Sequence, residues 1–434
     1  MVWWSTPLSK LYSELFGEIK DIPVIDVHQH LNPLSLSAKS IDDIVFYHYI
    51  VTELASSGMS RELLERYGGV ERLRVAANYI KYIRNTSTFW CLKSILRDLY
   101  GFELRGLEPS NVEELVTAVS QKFSDETWAK HILRDRVPVE KSFLTINPLE
   151  RMVQYDRELF TGALRMDPIL PNLTQSSLRH LEGILSLEIV NSSILEEAII
   201  AILKKFIGSI VAVTINVQPD DEFISLAISR SDKSTVDTYL SVLRSQGILD
   251  PLARSTIASY ILRIVLGFCE EQKLAVQLML GVKRPVAGAS PPDYAITLFN
   301  PRQIIDLAKL FSAYPAVKFD VFIADALLNH PMTVIAKNYP NVYLSGYWWY
   351  SMYPELIRSY LRLRLQMLPY NKIGGFFSDA YIADWVYGKA VLAKSQLAHI
   401  LTNFIEEGFI DKETALEIAR ALLNENAKSL YNLI

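Results

Sequence analysis

Asp26-Val27-His28-Gln29-His30 closes an apolar run that begins at Ile22, and helical sequence follows it at once. Read as the end of a β-strand, this stretch puts His28 and His30 on one face, because side chains two apart share a side. Two imidazoles side by side make half of a site for a zinc-class metal. Asp26 has the same parity one step deeper, where a carboxylate orients a ligand. An isolated His-x-His is more often a hydrogen-bonded pair than a ligand pair. Its weight here comes from its place at the head of a longer pattern.

Working outward, seven further apolar runs bounded by turn residues follow: 141–146, 160–166, 209–217, 274–282, 317–324, 342–346 and 372–379. With 22–28 they make eight. Their character is continuous rather than alternating, as in strands buried on both faces of a parallel sheet. Helix-period segments at 194–207, 253–272, 301–314 and 354–367 separate them, so the chain reads as βαβ units. Eight such units predict an α/β fold, a (β/α)8 TIM barrel. One connection is far longer than the rest. Residues 31–140 read as helices throughout, at 41–55, 61–67, 71–83, 90–100, 112–123 and 126–133. We expect a helical subdomain inserted after the first strand, with residues 1–30 and 141–434 forming the barrel. Connections that follow strands rise on the catalytic face of such barrels, so the insertion should cover the active site.

The eighth run ends in Phe376-Phe377-Ser378-Asp379-Ala380-Tyr381. A carboxylate at the end of a buried strand is costly unless it meets a metal or a hydrogen-bond donor. In a closed barrel the eighth strand lies beside the first. Asp379 is therefore the expected third ligand and a proton acceptor. The plainer alternative is a helix N-cap.

The bulk of the sequence narrows the function classes. Half of the 434 residues are apolar, and 44 basic against 48 acidic residues leave a net charge of −4. No basic excess points to nucleic acid, and no polybasic tract points to a membrane surface. Cys91 and Cys269 sit in apolar helical stretches, as reduced thiols do. No basic-then-apolar leader opens the chain and no apolar run reaches the length of a membrane span. A cytoplasmic enzyme that self-associates into a homo-oligomer is the expectation.

The strand-one Asp-x-His-x-His and the strand-eight acid resemble the amidohydrolase superfamily, and further segments resemble its uronate isomerase branch. These are Phe46-Tyr-His-Tyr-Ile, Gly162-Ala-Leu-Arg165-Met-Asp167-Pro168, Gly281-Val-Lys283-Arg284 and Gly346-Tyr-Trp348-Trp349-Tyr350, with Arg362-Leu-Arg364-Leu and Ser378-Asp379-Ala. The resemblance implies that His28, His30 and Asp379 ligate a metal. It also implies that Arg165 faces a substrate carboxylate, and that Tyr49 or His48 reaches in from the insertion as a catalytic group. His330 falls where the branch has a histidine after strand six. The branch carries Asp-x-Arg at strand eight, whereas this chain has Tyr381. Superfamily hydrolases often add a lysine on strand four and histidines on strands five and six. Here those places hold Thr214 and Asn216, Met279 and Leu280, then Ile323 and Asp325, so one divalent metal is expected: zinc first, with manganese, iron or cobalt as alternatives. Trp348 is expected to wall the pocket beside Tyr381. Lys283 and Arg284, after strand five, are expected to bind a small anionic substrate. On these residues alone we favour a mononuclear metal-dependent hydrolase, since it needs only groups that are present. Isomerisation of glucuronate or galacturonate is the alternative, and a non-catalytic relative the third reading.

Overall fold

The computed structural model describes residues 9–104, 110–229, 232–290, 293–348 and 350–433. Trp349 lies outside them. Eight strands form one parallel sheet in chain order. They are β1 (Val24–Gln29), β2 (Val139–Ile146), β3 (Phe160–Arg165), β4 (Ile210–Val217), β5 (Ala275–Leu280), β6 (Phe319–Ile323), β7 (Val342–Ser345) and β8 (Ile373–Gly374). Each expected run overlaps one of them, β1 running one residue past its run and β2 starting two residues before its own. β4 shows why: its sequence IVAVTINV is rich in β-branched residues, and all but one of the eight are buried.

The sheet curls until its edges meet, giving the (β/α)8 barrel. The seam between β8 and β1 is not a regular ladder. β8 stops pairing with β7 after Gly374, and the Gly375 N–H turns to the carbonyl of Leu422 at 2.8 Å. Beyond it, the Ser378 N–H donates to Asp26 Oδ1 at 2.8 Å and the Ser378 hydroxyl to Oδ2 at 2.6 Å. The Asp379 N–H then donates to the His28 carbonyl at 3.0 Å, and the His30 N–H to the Ala380 carbonyl at 2.8 Å. Asp26 thus ties the last strand to the first rather than orienting an imidazole.

Helices pack outside the sheet. The longest between strands, Pro251–Gln272, starts with the Asp250 side chain accepting from the Ala253 N–H at 2.8 Å and Pro251 in its first turn, a favoured start. It is long and apolar enough to cross a membrane, yet 67% of that window is buried against the rest of the protein. Within this fold it is a core helix. No helix separates β2 from β3: residues 147–159 form a helix-free connection.

Between β1 and β2 the chain is helical, with Ile41–Val45, His48–Ser56, Arg61–Arg66, Gly69–Ile80, Ser87–Tyr100, Val112–Ser120 and Glu126–His131. The single helix expected over 41–55 breaks in two. Tyr47 has φ −50° and ψ 140°, outside the helical region. The break points Tyr47, His48 and Tyr49 at the end of β8. The other end of the barrel is stoppered by the C-terminal helix Asn426–Tyr431, whose Ala427, Leu430 and Tyr431 pack with Phe143 inside the sheet.

Candidate active site

His28, His30 and Asp379 converge at the end of the barrel where the strands finish. One ligand atom from each lies within 4.8 Å of the others. His28 Nε2 is 3.6 Å and His30 Nε2 3.3 Å from Asp379 Oδ1. The two rings meet edge to face, with centroids 5.1 Å apart. A backbone device creates this aim. Asp379 has φ +51°, a left-handed conformation that aspartate tolerates better than most residues. It swings the carboxylate off the course of the strand and toward β1.

The electrostatics suit a cation. His28 is 1% exposed and both its ring nitrogens lack a hydrogen-bond partner. Burial, reinforced by His30, pulls it down to about 3, so the imidazole is neutral at pH 7 and its lone pair is free to ligate. Burial works to raise the Asp379 carboxyl. The His30 hydrogen bond, the Lys389 charge and the two histidines overcome it and hold the carboxyl well below the usual range. An orphaned buried imidazole, a partly exposed second one and a fixed carboxylate form a donor set that fits one divalent ion with positions left for water or substrate. Among the described residues this is the one group of its kind.

A collar of hydrogen bonds fixes the carboxylate. The Tyr49 hydroxyl donates to Asp379 Oδ2 at 2.5 Å, and the Tyr47 hydroxyl to the Asp379 carbonyl at 2.8 Å. Burial and the neighbouring Asp379 charge push both phenols well above their ordinary value, so they stay protonated donors. Behind them stands Lys389, which is fully buried. Its amine donates to Tyr47 Oη at 3.3 Å, Tyr49 Oη at 3.2 Å, the Asp379 carbonyl at 3.3 Å and the Ser378 carbonyl.

In front of the cluster opens a cavity of about 530 Å³. Arg165, Arg284, Trp348, His48 and Tyr381 line it together with the three candidate ligands. Arg165 Nε is held by Asp167 Oδ2 at 2.7 Å, and Arg284 by Asp293 Oδ1 at 2.8 Å. The Arg284 guanidinium also lies 5.8 Å from the Trp348 ring centroid. Each arginine keeps further donors for an anion. Tyr381 is 49% exposed and stacks on His30, with ring centroids 4.9 Å apart and planes 13° apart. Burial pulls His48 down to about 3, which leaves a neutral imidazole on the cavity wall.

Two expected site residues, Lys283 and His330, fall elsewhere, and so does Asp325. Lys283 is directed away, its amine 2.6 Å from Asp220 Oδ2. His330 sits exposed in the first turn of helix Asn329–Asn338. Asp325 caps the next turn by accepting from the Leu327 N–H at 2.9 Å. Sequence reading missed Tyr47, Asp293 and Lys389. Tyr47 is a neighbour of two residues already singled out and was within reach. Lys389 lies ten residues past Asp379 in an apolar helix, where a lone lysine reads as a solvated flank.

No protein-family model matches the chain. Curated relatives do. The uronate isomerase of Thermotoga neapolitana is 20% identical over 452 residues, covering 96% of each chain. Among solved structures, the glucuronate isomerase of Caulobacter crescentus superposes with a TM-score of 0.86 at 18% identity, over 99% of this chain and 95% of its own. The uronate isomerase of Thermotoga maritima gives 0.84 at 16% identity, over 97% of both. Over 96% of its length the chain is similar to uronate isomerases, and it shares the barrel fold of these structures.

Proposed function

We propose that this protein is a metal-dependent uronate isomerase that interconverts the aldose and ketose forms of a small sugar acid. The hydrolase reading favoured on the residues alone gives way. That preference rested on the missing strand-eight arginine, whereas the relationship to uronate isomerases runs the length of the chain. The observation that carries the proposal is one cavity lined both by a His-His-Asp cluster and by two arginines, Arg165 and Arg284.

The roles follow from the geometry. His28, His30 and Asp379 would hold the divalent ion, zinc being one of several ions that two imidazoles and a carboxylate suit. Such an ion supplies Lewis acidity to the carbonyl and hydroxyl oxygens of the sugar. Arg165 and Arg284 would clamp the carboxylate at the far end of an extended sugar acid, for which a guanidinium fork is matched. Tyr49 fixes Asp379 by occupying Oδ2, which leaves Oδ1 toward the histidines. His48, neutral and facing the cavity, is the group we assign to carrying the proton between adjacent carbons. Tyr381 would keep His30 in its plane and face the substrate. Trp348 would exclude water from one wall. We also read residues 31–140 as an inserted unit whose task is to deliver Tyr47, His48 and Tyr49. The buried free thiols of Cys91 and Cys269 suit a reducing, cytoplasmic setting.

The test is direct. Protein loaded with zinc or manganese is incubated with glucuronate and with galacturonate, and the ketose is followed by NMR. Aldose–ketose interconversion that disappears in His28→Ala is expected. A metal-loaded, folded protein that converts neither sugar acid would overturn the proposal.

A further inference from the structure

Arg284 lines the cavity, and its surroundings decide how it is aimed. It follows the short strand Val282–Lys283, which pairs antiparallel with Ile296–Thr297. Its backbone N–H donates to Gln218 Oε1 at 3.1 Å, which fixes the root of the side chain. The rest of an arginine is long and rotatable, and unheld it samples many directions. Asp293 removes that freedom, with Oδ1 2.8 Å from Arg284 Nη1. Asp293 is held in turn. Its Oδ2 accepts from the Tyr350 hydroxyl at 2.5 Å, and the neighbouring Tyr294 carbonyl closes the loop by accepting from the Val286 N–H at 2.6 Å. Tyr350 meets Trp348 edge to face, with ring centroids 5.6 Å apart and planes at 90°. The Arg284 guanidinium lies 5.8 Å from the Trp348 ring centroid. Arg284, Asp293, Tyr350 and Trp348 thus form a closed ring of four side chains, drawn from the chain after β5 and after β7.

The ring leaves part of the guanidinium unused. Nη1 is committed to Asp293, whereas Arg284 Nε and Nη2 donate to no acceptor among the described residues. Those two nitrogens form one of the forks by which a guanidinium grips both oxygens of a carboxylate. Asp293 therefore settles which edge of Arg284 stays available. Its charge works in the other direction. Asp293 lines the same cavity, and a carboxylate there repels an anionic substrate. Geometry and charge make opposite predictions for its removal.

We propose that Asp293 is a positioning residue, which fixes the Arg284 guanidinium so that its Nε–Nη2 fork meets the substrate carboxylate. The inference rests on the isomerase reading and names the residue that sets the affinity of that site for a sugar acid. Tyr350 supports Asp293 from the far side of the ring, and Trp348 gives the guanidinium a flat face to lie against.

The experiment compares the steady-state kinetics of glucuronate isomerisation in the metal-loaded wild type, Asp293→Ala and Asp293→Leu. One of the two variants suffices if the other fails to fold. A clamp that grips the carboxylate equally in the ground and transition states governs KM rather than kcat. The expected result is a KM about 10- to 100-fold higher, with kcat within about threefold of the wild type. Asp293→Asn still offers an oxygen to Nη1 and should recover most of that loss. A KM that falls shows Asp293 acting through its charge, and a KM that stays shows it tying two loops together; either overturns the proposal. Calorimetric binding of gluconate, a sugar acid with no carbonyl to isomerise, keeps the two readings apart. A wild type that converts no uronate defeats the isomerase proposal. Gluconate binding that weakens in Asp293→Ala still supports the positioning role, and binding that is equal in both proteins, or absent from the wild type, overturns it.

Discussion

Asp379 holds a left-handed backbone and a carboxylate aimed across the seam of the barrel, and neither is free. A non-glycine residue in that region costs about 1–3 kcal/mol unless its surroundings impose it. Lys389 supplies that imposition by gripping the carbonyls of Ser378 and Asp379 and both phenols of the collar. Replacing Lys389 with Met should therefore weaken metal retention about 10- to 100-fold, as removing a ligand's supporting partner does. The check is metal per chain after dialysis, beside a circular dichroism spectrum that stays native. A Lys389→Met protein that keeps its metal would show the amine to be packing only. Tyr381 makes the opposite kind of case. Its stack on His30 uses the ring rather than the hydroxyl. Tyr381→Phe should retain metal like the wild type, and Tyr381→Ala should retain it about tenfold less tightly. Equal losses in both would place the role in the hydroxyl.

At the scale of elements, the C-terminal helix does more than cover an apolar face. Tyr431 enters the barrel and donates to Asp320, and it accepts from Gln277 Nε2 at 2.9 Å. Burial pushes Asp320 up to about 6, with the Tyr431 and Ser345 hydrogen bonds pulling the other way. The folded state thus binds this proton more tightly than the unfolded chain, whose aspartates titrate near 3.9. Stability from this group is present below pH 4 and is lost as pH rises to about 6. Two units correspond to about 2–3 kcal/mol at most. Urea unfolding at pH 4.5 and 6.5 should show Asp320→Asn gaining on the wild type at the higher pH. A pH-independent difference would mean that Asp320 ionises normally. Tyr431→Phe, which strips a donor from that buried carboxylate, should cost about 1–3 kcal/mol. The elements also show where sequence was legible. Continuous apolar runs announced all eight strands, because a strand buried on both faces has no polar side to conceal it. The break at Tyr47 was invisible, since 41–55 keeps a helical apolar period through a residue whose backbone leaves the helix. The short pairing of β8 was equally hidden. It follows from Leu422 capturing the Gly375 N–H, a contact some fifty residues away in the chain.

For the molecule as a whole, the site and the closure of the barrel are one structure. The candidate ligands were readable from their positions at the ends of the first and last runs, because a barrel makes those runs neighbours. Lys389 and Asp293 were not, because each owes its place to tertiary packing rather than to a strand end. That geometry has a thermodynamic consequence. β8 meets β1 through a few isolated hydrogen bonds instead of a ladder. An ion held by His28 and His30 on one side and Asp379 on the other is a cross-link over the weakest seam. Since such a site does not exist in the unfolded chain, binding adds to folding stability by mass action, about 2.7 kcal/mol at a hundredfold excess over Kd. For 434 residues the unfolding entropy is about 0.9 kcal/mol/K, so the melting temperature should rise by about 3 °C. Amide hydrogen exchange gives the sharper readout, since it resolves where protection is gained. Metal removed with a chelator should raise exchange at the Asp379 and His30 amides, which bridge the seam, and leave the β4–β5 ladder unchanged. If the melting temperature and the seam amides are indifferent to zinc and manganese, then the three side chains do not share an ion, and the isomerase proposal loses its chemical centre.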